Sequence, residues 1–80
     1  MIFMITIKEL INKIKWDKRE DPEDYVLVYI DMNKKKKLEY NAIKRLEGNF
    51  MVIEKDMEEI EIPIHRIKEV KKKGKVVWKR

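Results

Sequence analysis

Tyr25-Val26-Leu27-Val28-Tyr29-Ile30 is the stretch that decides the fold. It is rich in aromatic and β-branched residues and apolar on both parities, so it predicts a short central strand covered on both faces. A strand of that kind needs partners beside it and a layer above it. The layer lies upstream. Thr6-Ile7-Lys8-Glu9 has the form of a capping box, with Ile5 and Leu10 at the two staple positions around it. Ile7, Leu10, Ile11 and Ile14 repeat at i, i+3, i+4 and i+7, which predicts an amphipathic helix over about residues 7–15 that ends near Trp16-Asp17. The acidic segment Asp17–Asp24, with Pro22 inside it, reads as a loop.

The partners lie downstream. Lys34–Lys37 reads as a basic turn and Leu38-Glu39-Tyr40 as a second strand. Asn41 reads as the cap of a short helical turn through Ala42–Leu46, with Gly48 at its left-handed exit. Phe50–Ile53 and Glu59–Ile62 predict two more strands around an acidic turn, the second stopped by Pro63, which cannot donate to a ladder. Ile67–Lys72 and Val76–Lys79 flank Lys73-Gly74, a hairpin signal. The pattern is α+β: one N-terminal helix against a curled antiparallel sheet, or a small open barrel, of about five or six strands. No internal repeat or low-complexity linker is visible, and 80 residues suit one domain over residues 1–80. Met1–Ile5 is too short for a signal core or a spanning helix; it reads as a short extra strand or an upstream start, and the expected setting is cytoplasmic with no membrane partner.

Composition narrows the function classes. Charged residues make up 44% of the chain, well above the ordinary quarter, with Lys and Glu interspersed, a pattern suited to high temperature. The net charge of +5 is unevenly placed: residues 66–80 hold eight basic residues against Glu69 alone, so the remainder is net acidic. A polyanion would meet the C-terminal end, although lysines on a strand also serve as gatekeepers against edge pairing. Without Cys or Ser, and with Thr6 as the single Thr, a Ser or Cys nucleophile and a thiolate metal site are excluded. The run Glu54-x-Asp56-x-Glu58-Glu59-x-Glu61 lacks the central Gly of a calcium loop and reads as a solvated strand face. No metal, cofactor or catalytic residue is assigned.

Two places could carry chemistry. In Glu61-Ile62-Pro63-Ile64-His65-Arg66-Ile67, Pro63 fixes the backbone before an imidazole and a guanidinium at a junction between strands. Arg offers a planar fork matched to phosphate, and His can donate to a phosphate oxygen or carry a proton. The pair forms a small-anion clamp, unless Arg66 instead pairs with Glu61 or Asp17 and His65 caps a backbone carbonyl. Trp16 and Trp78, each beside basic residues, are the candidate base-stacking surfaces. Trp78 alternates with Val76 and is expected to face inward; Trp16, after the helix, is the better stacking candidate.

Three blocks, Ile14-Lys15-Trp16-Asp17, Glu61-Ile62-Pro63-x-His65-Arg66-Ile67 and Gly74-x-x-Val77-Trp78-x-Arg80, resemble the signature of a small, mostly archaeal domain family. That family, long catalogued as uncharacterised, is also described as an RNA cyclic group end recognition domain. The resemblance runs from about Thr6 to Arg80. Its departures are Lys18 where Pro is usual, Glu39-Tyr40-Asn41 where Ile-Pro-Phe is common, and the additional Met1–Ile5. The family also occurs fused to poly(A) polymerase-like and two-histidine phosphoesterase-like domains. The resemblance implies a non-catalytic RNA-binding module that recognises 3′ ends bearing a 2′,3′-cyclic phosphate, with an RNA-processing enzyme as a further partner. It makes Lys15, Trp16, Asp17, His65, Arg66, Trp78 and Arg80 the RNA-binding candidates. Two rivals stand beside it: a cyclic-phosphate-processing enzyme using His65, which has no second histidine to share proton transfer, and a protein-interaction adaptor of an RNA-processing complex.

Overall fold

The computed structural model describes residues 5–80; Met1–Met4, and with them most of the apolar run read as an extra strand or upstream start, lie outside the described residues. One helix, α1 (Ile7–Trp16), precedes seven strands: β1 (Tyr25–Asp31), β2 (Lys34–Glu39), β3 (Ile43–Glu47), β4 (Phe50–Lys55), β5 (Glu58–Pro63), β6 (Ile67–Lys72) and β7 (Lys75–Lys79). The strands form two antiparallel sheets, β2-β1-β6-β7 and β3-β4-β5. The fold is therefore α+β, as the sequence predicts, with its strands in two sheets rather than a closed barrel.

The capping box forms as predicted. The Glu9 N–H donates to Thr6 Oγ1 at 3.1 Å, and the Glu9 carboxylate accepts from the Thr6 N–H at 3.4 Å. Ile7, Leu10, Ile11 and Ile14 are all buried. They pack with Leu27, Met51, Ile53, Ile64, Ile67, Val70 and Trp78 in one core cluster. β1 sits between β2 and β6, and its two faces differ: Leu27 is fully buried in the core cluster, while the adjacent Val28 is buried outside it. The loop after α1 is tied back to the sheet by Glu20, which accepts from the Tyr25 hydroxyl at 2.6 Å and the Lys72 ammonium at 2.9 Å. The Tyr25 hydroxyl and then Lys72 hold the Glu20 carboxyl below its usual range.

Two local expectations are corrected. Lys34–Lys37 is part of strand β2; the turn before it is Met32-Asn33, with φ of +52° and +65°. Positive φ at both central residues matches a tight hairpin to strand twist. Asn tolerates that region, so Met-Asn turns the chain where Asn-Gly is the usual signal. Asp56-Met57 and Lys73-Gly74 turn the β4–β5 and β6–β7 hairpins in the same way. The second correction concerns Ala42–Leu46. Only Tyr40–Ala42 forms a 3₁₀ turn, and Ile43–Glu47 is strand β3. Ile43 pairs with Ile53 and Leu46 with Met51, so burial against β4 outweighs a marginal helical turn. Gly48, at φ +57°, turns the β3–β4 hairpin instead of ending a helix.

A succession invisible in the sequence also emerges. β2, the 3₁₀ turn Tyr40–Ala42, β3 and β4 are followed by β5, the 3₁₀ turn Ile64–Arg66, β6 and β7. In each half the ladder slips one residue after the turn, at Lys44 in β3 and at Lys68 in β6.

Candidate functional site

The corner after β5 is built from alternating burial. Ile64 and Ile67 are in the core, which leaves the intervening His65 and Arg66 outside. The backbone is pinned from both sides. The Ile64 N–H donates to the Asn49 carbonyl at 2.9 Å, and the Ile67 N–H closes the 3₁₀ turn on the Ile64 carbonyl. Arg80 reaches back to the same turn: Nε donates to the Ile67 carbonyl at 3.1 Å and Nη2 approaches the Ile64 carbonyl at 3.4 Å. Its guanidinium lies 5.3 Å from the Trp78 ring centroid, and the Trp78 indole N–H donates to the Ile5 carbonyl at 2.9 Å. Arg80 thus takes the carbonyl-binding role that the sequence offered as an alternative for His65.

His65 and Arg66 face different hollows. His65 borders an open depression with Thr6, Lys8, Asn49, Ile64 and Arg80. Lys8 Nζ donates there to Asn49 Oδ1 at 3.3 Å. The Thr6–Glu9 box already occupies the helix start, so Lys8 and Arg80 supply the positive charge of this hollow. Arg66 borders the cleft between the sheets with Tyr29, Asp31, Lys36, Lys55 and Pro63. Its Nη1 is 4.0 Å from Asp31 Oδ1, too long for a hydrogen bond. The acid that comes within 4.0 Å of Arg66 is therefore Asp31, and not Asp17 or Glu61, although Glu61 lines the same cleft. Asp31 is bonded more closely to Lys36, at 3.0 Å, which raises the Lys36 pKa above the ordinary lysine value.

Lys15, Trp16 and Asp17 lie at the other end of α1. Ten residues at about 1.5 Å each place them about 15 Å from the helix start beside His65. Asp17 caps the helix, and its carboxylate accepts from the Arg19 backbone at 2.9 Å and guanidinium at 3.1 Å. Those bonds hold the Asp17 carboxyl below the usual range. Trp16 is 74% exposed, with Lys15 Nζ 5.3 Å from its ring centroid. Trp78 is 5% exposed, a core residue with its N–H satisfied. The candidates accordingly divide into the corner set His65, Arg66 and Arg80, the helix-end set Lys15, Trp16 and Asp17, and the buried Trp78.

The MJ1316 RNA cyclic group end recognition domain matches residues 4–80, nearly the whole chain. The chain belongs to this family. A UPF0248 protein of Pyrococcus horikoshii is 42% identical over 77 residues, covering 91% of this chain and 87% of the relative. A UPF0248 protein of Metallosphaera sedula is 34% identical over 77 residues, covering 95% and 94%. One of Saccharolobus islandicus is 33% identical over 79 residues, covering 92% and 98%. No solved structure matches the chain.

In this member of the RNA cyclic group end recognition family, the three sequence blocks separate into framework and surface. Ile14, Ile67 and Trp78 are core, and Arg80 clamps the corner. Trp16, His65 and Arg66 are exposed. Sequence reasoning missed Lys8, Asn49, Asp31 and Lys36. Lys8 reads as one more polar helix position and Asn49 as a turn residue; only the approach of α1 to the β3–β4 turn makes them neighbours of His65.

Proposed function

We propose that this protein is a non-catalytic RNA-binding module that takes the 3′ end of an RNA, in its 2′,3′-cyclic phosphate form, at the Ile64–Arg66 corner. The observation that carries the reading is the placement of His65 and Arg66 at consecutive, exposed positions of a backbone pinned by Asn49 and Arg80, each opening onto its own hollow. A cyclic phosphodiester is a compact anion with a single charge. A few donors on a rigid backbone suit it, because little side-chain and loop freedom is lost on binding. In this reading the phosphate sits on the ridge between the two hollows, where an imidazole N–H of His65 reaches it from the side of Lys8 and the Arg66 fork turns to it from the cleft. The family's description, recognition of an RNA cyclic group end, supports the same assignment. Trp16, at the far end of α1, is left to a later nucleotide or to another role. The module would work beside an RNA-processing enzyme that makes or consumes such ends.

The test is binding of one short fluorescent RNA ending in 2′,3′-cyclic phosphate, 3′-phosphate or free hydroxyl, at low and moderate salt. The expected result is tighter binding of the cyclic end, retained as salt rises. Equal affinity for all three ends would overturn the reading.

A further inference from the structure

The two sheets carry opposite charge on their strands. β2, β1, β6 and β7 hold nine lysines against Asp31, Glu39 and Glu69, while β3, β4 and β5 hold three cations against five glutamates. Two of the three cations of the smaller sheet, Lys44 and Arg45, are committed to its own acids. Lys44 lies 3.5 Å from both Glu54 and Glu59, and Arg45 bonds Glu47 and, at 3.1 Å, Glu59. The larger sheet differs. Its register and the alternation of side chains put Lys35 and Lys37 of β2 on the face away from the core, with Lys71 of β6 and Lys79 of β7 across from them. Lys68, the residue at the ladder slip, stands exposed beside them. Among the described residues none of these five forms an ion pair, although Glu39 and Glu69 share the face. Five unpaired lysines on one sheet face repel one another, a cost that a bound polyanion relieves.

The floor between the lysine rows is Val26, Val28 and Ile30 of β1. Tyr25 and Tyr29 point to the other face, as does Trp78, so this surface has no ring for a base to stack on. It does have continuity with the corner. Lys68 follows Ile67 directly, and the Arg80 N–H donates to the Lys68 carbonyl at 2.9 Å. β6 extends away from the corner by roughly 20 Å at about 3.3 Å per residue.

We infer that the outer face of the β2-β1-β6-β7 sheet is a second binding surface that holds the sugar–phosphate backbone of the RNA behind its 3′ end, through Lys35, Lys37, Lys68, Lys71 and Lys79 and without reading bases. This inference rests on the RNA reading of the corner but concerns a separate surface with a separate signature. Each lysine that neutralises a phosphate contributes about 0.7 to the slope of log affinity against log salt on single-stranded RNA. The end preference belongs to the corner and does not depend on these five lysines.

The experiment measures that slope with a single-stranded RNA in cyclic-phosphate and hydroxyl forms. Three proteins are compared: the parent, Lys37→Gln/Lys71→Gln, and Lys13→Gln/Lys18→Gln, which removes equal charge from α1 and the loop after it. The expected result is a slope shallower by about 1.4 in the first variant only, falling by about 2.8 in total when Lys35→Gln and Lys79→Gln are added. The ratio of cyclic to hydroxyl affinity should stay at the parental value throughout. Equal slopes in the parent and the sheet variants would overturn the inference while leaving the corner untouched. A shallower slope with no end preference in any protein would uphold the sheet face and refute the corner. Loss of binding to anionic lipid vesicles in the sheet variants, with the RNA slope unchanged, would assign the face to a membrane surface and overturn the inference.

Discussion

The two 3₁₀ corners are nearly the same piece of backbone carrying different chemistry. In the first, Tyr40-Asn41-Ala42 leads into Ile43; in the second, Ile64-His65-Arg66 leads into Ile67. Each opens on a buried residue and closes with the N–H of an isoleucine on its carbonyl. The closing isoleucines have φ/ψ of −78°/122° and −73°/123°. The outward pair differs: Asn41 and Ala42 are an amide and a methyl, while His65 and Arg66 are an imidazole and a guanidinium. The anchoring differs too. Tyr40 donates its hydroxyl to the Ile11 carbonyl of α1 at 2.8 Å, whereas the second corner is held from its outer side by Arg80. One corner therefore closes the fold, and the other does so while presenting an imidazole and a guanidinium to solvent. The comparison separates what the corner geometry requires from what function adds.

If both corners are structural in the same way, cutting either anchor should destabilise the protein. Ile64→Ala should cost about 2–5 kcal/mol, the range for truncating a buried aliphatic side chain, read from a denaturant midpoint shift. A loss under 1 kcal/mol would mean the second corner is held by Arg80 and Asn49 alone. A smaller effect isolates the first corner. Burial raises the Tyr40 pKa above the ordinary value of 10.0, so the folded state prefers the neutral phenol. The stability this gives is complete below pH 10 and is lost as pH rises toward the folded-state value. Tyr40→Phe should cost about 1 kcal/mol at neutral pH through the lost hydrogen bond and reduce the alkaline loss of stability. Tyr25, also raised by burial and by Glu20, accounts for what remains. An unchanged alkaline profile would exclude Tyr40 as the titrating anchor.

Much of this frame was legible in the sequence. The capping box, the four-residue apolar stripe of α1, the central strand at Tyr25–Ile30 and the Lys73-Gly74 hairpin all follow from spacing and side-chain shape, although the core covers that strand on one face and not on both as expected. The first corner was misread because Asn41-Ala42 followed by Ile43–Leu46 satisfies a cap and a short helical turn locally. Only pairing with β4 decides for a strand, and that pairing depends on contacts distant in sequence. The repeat was hidden because few positions, Ile43/Ile67 and Lys44/Lys68 among them, are identical between the halves; what recurs is burial and the ladder slip. For the candidate site, the local block containing His65 and Arg66 could be read directly. That Lys15, Trp16 and Asp17 fall about 15 Å away could not, because the length of α1 separates blocks that seem to belong together.

The most direct measurement gives the second corner the outward residues of the first. His65→Asn/Arg66→Ala reproduces Asn41-Ala42 on a backbone already known to accept them, so stability should stay within about 0.5 kcal/mol of the parent. Binding of the three RNA ends should then lose its preference for the cyclic phosphate while keeping the salt-dependent affinity of the lysine face. A variant that folds as the parent does and still prefers the cyclic end would contradict the account.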